Sequence, residues 1–126
     1  LLIERYFQQI RDVIARSRSV QNAAVEYDRR DKNTGFLRGN ITFLNGSILH
    51  VREFTTVAAG VHRLSYSYQY MDAAKQLRFR YDNADHHHEL NLPTHPHHKH
   101  DGNEANIVAA AAPTLADVLA EIEQLL

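Results

Sequence analysis

From residue 24 to residue 83 the apolar side chains of this chain recur at every second position, the period of a half-buried strand. Leu64, Tyr66, Tyr68 and Tyr70 share one face, with Arg63, Ser65, Ser67 and Gln69 on the other. Leu77, Phe79 and Tyr81 repeat the pattern against Arg78, Arg80 and Asp82. Five strands are expected: Ala24 to Arg30, Phe36 to Leu44, Ile48 to Phe54, Val61 to Tyr70 and Gln76 to Asn83. The turns between them, at Asn33-Thr-Gly35, Asn45-Gly46 and Met71 to Lys75, are short. Parallel neighbours need crossovers of about a dozen residues, so the sheet is expected to be a mostly antiparallel meander.

At both ends the period lengthens. Leu2, Ile3, Tyr6, Phe7, Ile10, Val13 and Ile14 form the apolar stripe of an N-terminal helix. Thr114, with Asp117 three residues on, reads as the N-cap of a C-terminal helix whose stripe is Leu115, Val118, Leu119, Ile122, Leu125 and Leu126. The fold class that follows is α+β: helix, five strands, a His-rich loop and helix, one domain over residues 1–126, with both helices on one sheet face. The third strand has two readings. A two-residue turn at Asn45-Gly46 places His50 and Arg52 on the face of Ile41, and a three-residue turn places Leu49, Val51 and Glu53 there. A one-residue slip exchanges the faces of a strand, so the side on which Glu53 lies stays open at this point.

Composition narrows the function classes. A net charge of −1 excludes a protein coated for polyanions, and nucleic-acid binding would need a local patch. There is no cysteine, which removes disulfides and thiolate metal sites. No apolar run reaches the roughly 20 residues of a membrane helix, so no membrane partner is expected and the cytoplasm is the expected location.

Seven of the nine histidines fall between His86 and His100, directly after the fifth strand. Imidazole gives and takes protons near neutrality and is the commonest metal ligand. The residues around it, Arg80-Tyr-Asp-Asn83, then His86-His87 and Pro96-His-His-Lys-His100, resemble the TumE-like family of small bacterial and archaeal proteins. These are the toxin halves of toxin–antitoxin pairs. The resemblance extends upstream through Gly46-Ser-x-Leu49-x-Val51-x-Glu53 and Ser65 to Tyr70, and downstream to the helix opening at Pro113. Asp85 and His88 stand where the family usually has proline. The resemblance implies a one-domain partner of a helix-turn-helix antitoxin.

Three readings of the histidine segment follow. In the first, it does acid–base chemistry on RNA: His86 or His87 carries one proton and His98 or His100 the other, Arg80 holds phosphate through its fork, and Glu53 is a further acid–base candidate. Arg78, Lys99 and Tyr81 are then expected to bind substrate, and the protein is a ribonuclease acting by transesterification. In the second, His97, His98, His100 and Asp82 hold a divalent metal, zinc or a similar ion, although their spacing matches no standard zinc motif. In the third, the histidines are structural and the chain is a non-catalytic interaction module. RNA and a second copy of the chain, as a homodimer, are the further partners considered. A catalytic site requires Arg80, Asp82 and at least two histidines to converge; a module leaves them scattered.

Overall fold

The computed structural model describes residues 1–85 and 87–126, with His88 described by its backbone alone. Helix α1 (Ile3–Arg16) is followed by β1 (Val20–Arg29), β2 (Thr34–Phe43), β3 (Ile48–Thr56), β4 (His62–Met71) and β5 (Leu77–Asp82). After a 3-10 turn at His88–Leu90 come β6 (His98–Asp101), β7 (Ile107–Ala109) and α2 (Leu115–Leu125). The strands pair in chain order, β1 to β7, each antiparallel to the next. No helix among the described residues is long and apolar enough to cross a membrane.

The α+β meander is as expected, but the sheet has seven strands where the alternation predicts five. The two extra strands escape a hydrophobic reading for a physical reason. In β6 the buried positions are His98 and His100, so the alternation is carried by imidazoles. β7 is only three residues long.

Both helices cover one sheet face. Phe7 of α1 stacks on Tyr27 of β1, with ring centroids 5.2 Å apart. At the other end, Glu121 of α2 accepts from the Tyr81 hydroxyl of β5 at 2.6 Å and from Lys99 Nζ of β6 at 3.0 Å. The α2 start is a complete capping box. Asp117 N donates to Thr114 Oγ1 at 3.1 Å, and Thr114 N donates to Asp117 Oδ2 at 2.9 Å. Between helices and sheet lie Leu37, Ile41, Leu49, Val51, Tyr68, Phe79, Val118 and Ile122, all buried.

The β2–β3 turn decides the open register. Phe43 N donates to Ser47 O at 2.9 Å, which leaves Leu44, Asn45 and Gly46 as a three-residue loop. Gly46, at φ 86°, takes the left-handed position that such a loop needs. Ile41 therefore pairs with Leu49, and Leu49, Val51 and Glu53 face the helices. His50 and Arg52 face the opposite, open side.

The backbones of β1 and β2 approach so closely at Gly39 that a Cβ there would run into the Ala24 carbonyl and the Val25 Cα, at 2.6 Å in the latter case. Both obstacles are main chain and cannot rotate away. Gly39→Ala is expected to cost about 1–3 kcal/mol, as overpacking does. A urea midpoint equal to that of the parent would contradict the close approach.

Candidate functional site

The pairing of β5 with β6 builds the site. Asp82 pairs with His98 and Arg80 with His100, so four side chains of alternating positions meet on the face away from the helices. His98 Nε2 lies 2.9 Å from Asp82 Oδ1, and His100 Nε2 lies 3.6 Å from Asp82 Oδ2. The two Nε2 atoms are 3.2 Å apart. Arg80 donates through Nε to Asp82 Oδ2 at 3.0 Å and through Nη2 to His100 Nε2 at 3.0 Å. His87 packs edge-on against both rings, 5.0 Å from the His98 centroid and 5.7 Å from that of His100.

The cluster is dry. Asp82 is 6%, His98 2% and His100 3% exposed. Such groups stay buried only when every polar atom is satisfied. His98 Nδ1 donates to the Pro96 carbonyl and His100 Nδ1 to the Glu104 carbonyl, each at 2.8 Å. A carbonyl only accepts, so both Nδ1 atoms carry hydrogen and both Nε2 atoms point inward. His100 Nε2 accepts from Arg80. His98 Nε2 stands between two acceptors, Asp82 Oδ1 and His100 Nε2, and calls for a positive particle there: a proton or a metal ion. His87, His98 and His100 each offer an atom within 4.8 Å of the others. The 3.2 Å between the Nε2 atoms matches the edge of about 3.3 Å of a tetrahedron built on zinc–nitrogen bonds.

Arg80 links this cluster to the surface. Its Nη1 and Nη2 donate to the two carboxylate oxygens of Glu104 at 2.6 and 2.9 Å. Burial works against its charge, but Glu104 and Asp82 outweigh this and raise its pKa. Beside it a shallow cleft of about 280 Å3 is lined by Arg52, Ser65, Ser67, Arg80, Asp82 and Asn83 among others. A larger hollow of about 490 Å3, between α1 and β1, holds no comparable acid–base group.

Arg80, Asp82, His87, His98 and His100 are thus brought together. Other expected site residues are not. His86 lies outside the described residues. Arg78 is exposed and joins none of these contacts. Lys99 and Tyr81 face the helices, paired through Glu121, so neither shares a face with Arg80. His97 precedes His98 on the extended chain and turns to the helix side, where its Nδ1 meets the Tyr66 hydroxyl at 2.9 Å. It is His87, not His97, that completes the imidazole cluster.

Glu53 also lies on the helix side, 1% exposed. Its carboxylate accepts from the hydroxyls of Tyr6 at 2.5 Å, Tyr68 at 2.6 Å and Thr55 at 3.1 Å. Burial and then the Glu53 charge raise the pKa of both tyrosines. Arg63 donates to the Tyr68 hydroxyl at 2.9 Å and to the Pro113 carbonyl, tying this network to the start of α2. These groups hold the helices on the sheet, a sheet thickness away from Arg80. Glu104 is the contact that sequence reasoning misses, because nothing in the loose segment after Asp101 marks it.

A family model described as Toxin TumE matches residues 10–126. No curated protein and no solved structure matches the chain.

The His97 environment yields a pH test. Burial, then the charges of Arg63 and His98, lower its pKa below the usual 6.5. Burial raises that of Tyr66 to about 12, which keeps its hydroxyl as donor to His97. The unfolded chain therefore takes up the proton first. The stability that depends on neutral His97 is present above about pH 6.5 and declines as pH falls toward the folded value. An NMR titration is expected to give His97 a midpoint below that of a model histidine; a higher one would contradict the burial seen here.

Proposed function

This chain belongs to the Toxin TumE family, and from that premise we propose that the polar-face cluster cleaves RNA by acid–base transesterification. Membership of a toxin family implies an antitoxin partner. We infer that the partner is a helix-turn-helix protein that silences the toxin by covering this site, and that the pair acts in the cytoplasm. The observation that carries the reading is the convergence of Arg80, Asp82, His87, His98 and His100 beside an open cleft.

The chemistry needs a base for the 2′-hydroxyl, an acid for the leaving 5′-oxygen and a cation for the phosphorane charge. Glu104 marks where the anion goes. Its carboxylate fills the Arg80 fork bidentately, yet its side chain is 62% exposed, so a phosphate exchanges with it readily. As the 2′-oxygen attacks phosphorus, its proton passes to one imidazole and the P–O5′ bond breaks. The 5′-oxygen takes a proton from the other, leaving a 2′,3′-cyclic phosphate and a 5′-hydroxyl. His87, the most open of the three rings, is the carrier on the substrate side. His98 handles the second proton through Asp82, to which it is bridged and which lines the cleft.

A second reading has its own support. The Nδ1–carbonyl hydrogen bonds of His98 and His100 are the kind that orient metal ligands. A zinc-like ion on His87, His98, His100 and Asp82 would polarise the same phosphate. Arg80 weighs against it, because its Nη2 already donates to the Nε2 of His100 and would have to withdraw.

Arg80→Lys removes the fork while keeping a charge, and is expected to lower RNA cleavage and growth inhibition by about a hundredfold or more in a folded protein. His98→Ala is expected to do the same. Arg30→Lys, in an exposed pair with Asp28, is expected to behave as the parent. Full activity in folded Arg80→Lys would overturn the proposal. Cleavage that survives chelation in metal-free buffer favours the acid–base reading. Bound zinc with chelator-sensitive cleavage favours the metal.

A further inference from the structure

The side of the sheet that the helices leave open carries an ordered pattern of charge and aromatic rings. One cross-strand row runs Arg38, Arg52, Ser67, Asp82 and His98, each residue the direct partner of the next. It therefore leads from β2 straight into the histidine cluster. Adjacent strands lie about 4.8 Å apart, so the row spans roughly 19 Å. Arg52 lines the cleft that also holds Arg80 and Asp82.

Arg38 and Arg52 make an unfavourable pair. Like charges directly opposite one another destabilise a sheet, and both are exposed. Among the described residues neither guanidinium reaches a carboxylate within ion-pair distance, although Glu26 stands across from Arg38 on β1. Next to them Phe36 and Phe54 pair across the same two strands, half-buried, with ring centroids 6.1 Å apart. Two open guanidinium groups beside two aromatic rings, in register with an Arg–His cluster, combine the phosphate-holding and base-stacking elements of single-strand recognition.

We propose that the open face of β2 and β3 binds single-stranded RNA and delivers it along the Arg38–Arg52 row to the cleft at Arg80. This deepens the reading of the cluster as an RNA-cleaving site and rests on it for the direction of travel. The guanidinium groups hold successive phosphates, and the Phe36–Phe54 pair offers a sequence-tolerant platform for a base. The opposed arginines are then a binding device, because a bridging phosphate relieves their repulsion.

The experiment uses two probes: a short single-stranded RNA methylated at every 2′-oxygen, which cannot transesterify, and the same RNA unmethylated. The first reads binding by fluorescence anisotropy across a salt series; the second reads cleavage. Removing two phosphate contacts with Arg38→Ser and Arg52→Ser together is expected to weaken binding at least tenfold. It should also reduce the slope of log affinity against log salt by about 1.4. Phe54→Leu is expected to weaken binding about tenfold, with less effect on the slope. The thermal midpoint of the double variant should equal or exceed that of the parent, since a repulsive pair is removed. Unchanged RNA binding in the double variant overturns the track, whether or not RNA is cleaved. Binding that depends on the arginines without any cleavage keeps the track and defeats the ribonuclease reading. No RNA binding, with antitoxin affinity lost in the double variant, overturns the track and makes the face a protein interface.

Discussion

Two cross-strand pairs, Asp82 with His98 and Arg80 with His100, fasten the histidine segment to the last long strand of the meander. The whole polar-face cluster depends on that register. It puts a buried carboxylate between two buried imidazoles and leaves a guanidinium to carry its influence out to the cleft. A slip by one residue would set His97 and Lys99, or Lys99 and Asp101, in place of His98 and His100, and would break the buried Asp82–His98 pair. Breaking such a buried pair costs about 3–5 kcal/mol, because the remaining charge has no solvent to turn to. The same contacts that make up the cluster thus hold the register that creates it.

The sheet keeps two polar networks apart by strand alternation. On the helix side Glu53 is closed in by Tyr6, Tyr68 and Thr55, with Arg63 reaching the start of α2. That network draws hydroxyls from α1 and two strands to one carboxylate, which fixes where α1 sits. On the open side Asp82 gathers Arg80, His98 and His100, and Arg80 ends at an exposed carboxylate that a ligand can displace. One network ends in packed interior and the other in a cleft. That difference separates the carboxylate that holds the helices from the one proposed to serve the site more firmly than their similar burial would.

The long strands and both helices are legible in the sequence because their burial is carried by apolar residues at fixed periods. The α2 start is legible for a second reason, since Thr114 and Asp117 name their own hydrogen bonds. The site is legible as a composition, Arg80 and Asp82 followed by histidines, but not as an arrangement. β6 hides because its buried positions are His98 and His100. Once it is seen as a strand, His97 and Lys99 must face away from them, so the placing of both on the helix side follows from the same missed element. The side of Glu53 hinged on whether Leu44 belongs to a turn or a strand, a choice that alternation alone does not make. Glu104 carried no local signal, because its partner Arg80 lies 24 positions earlier in the chain.

The account rests on the orientation of the two buried imidazoles, with Nδ1–H turned to the Pro96 and Glu104 carbonyls and Nε2 turned to Asp82 and Arg80. Long-range 15N–1H correlation spectra of the histidine rings read this orientation directly, because the protonated and unprotonated nitrogens differ widely in 15N shift. The account predicts Nδ1 protonated in both His98 and His100, with His100 Nε2 bare. A His100 ring protonated at Nε2 and bare at Nδ1 could not accept from Arg80 or donate to Glu104, and would contradict it.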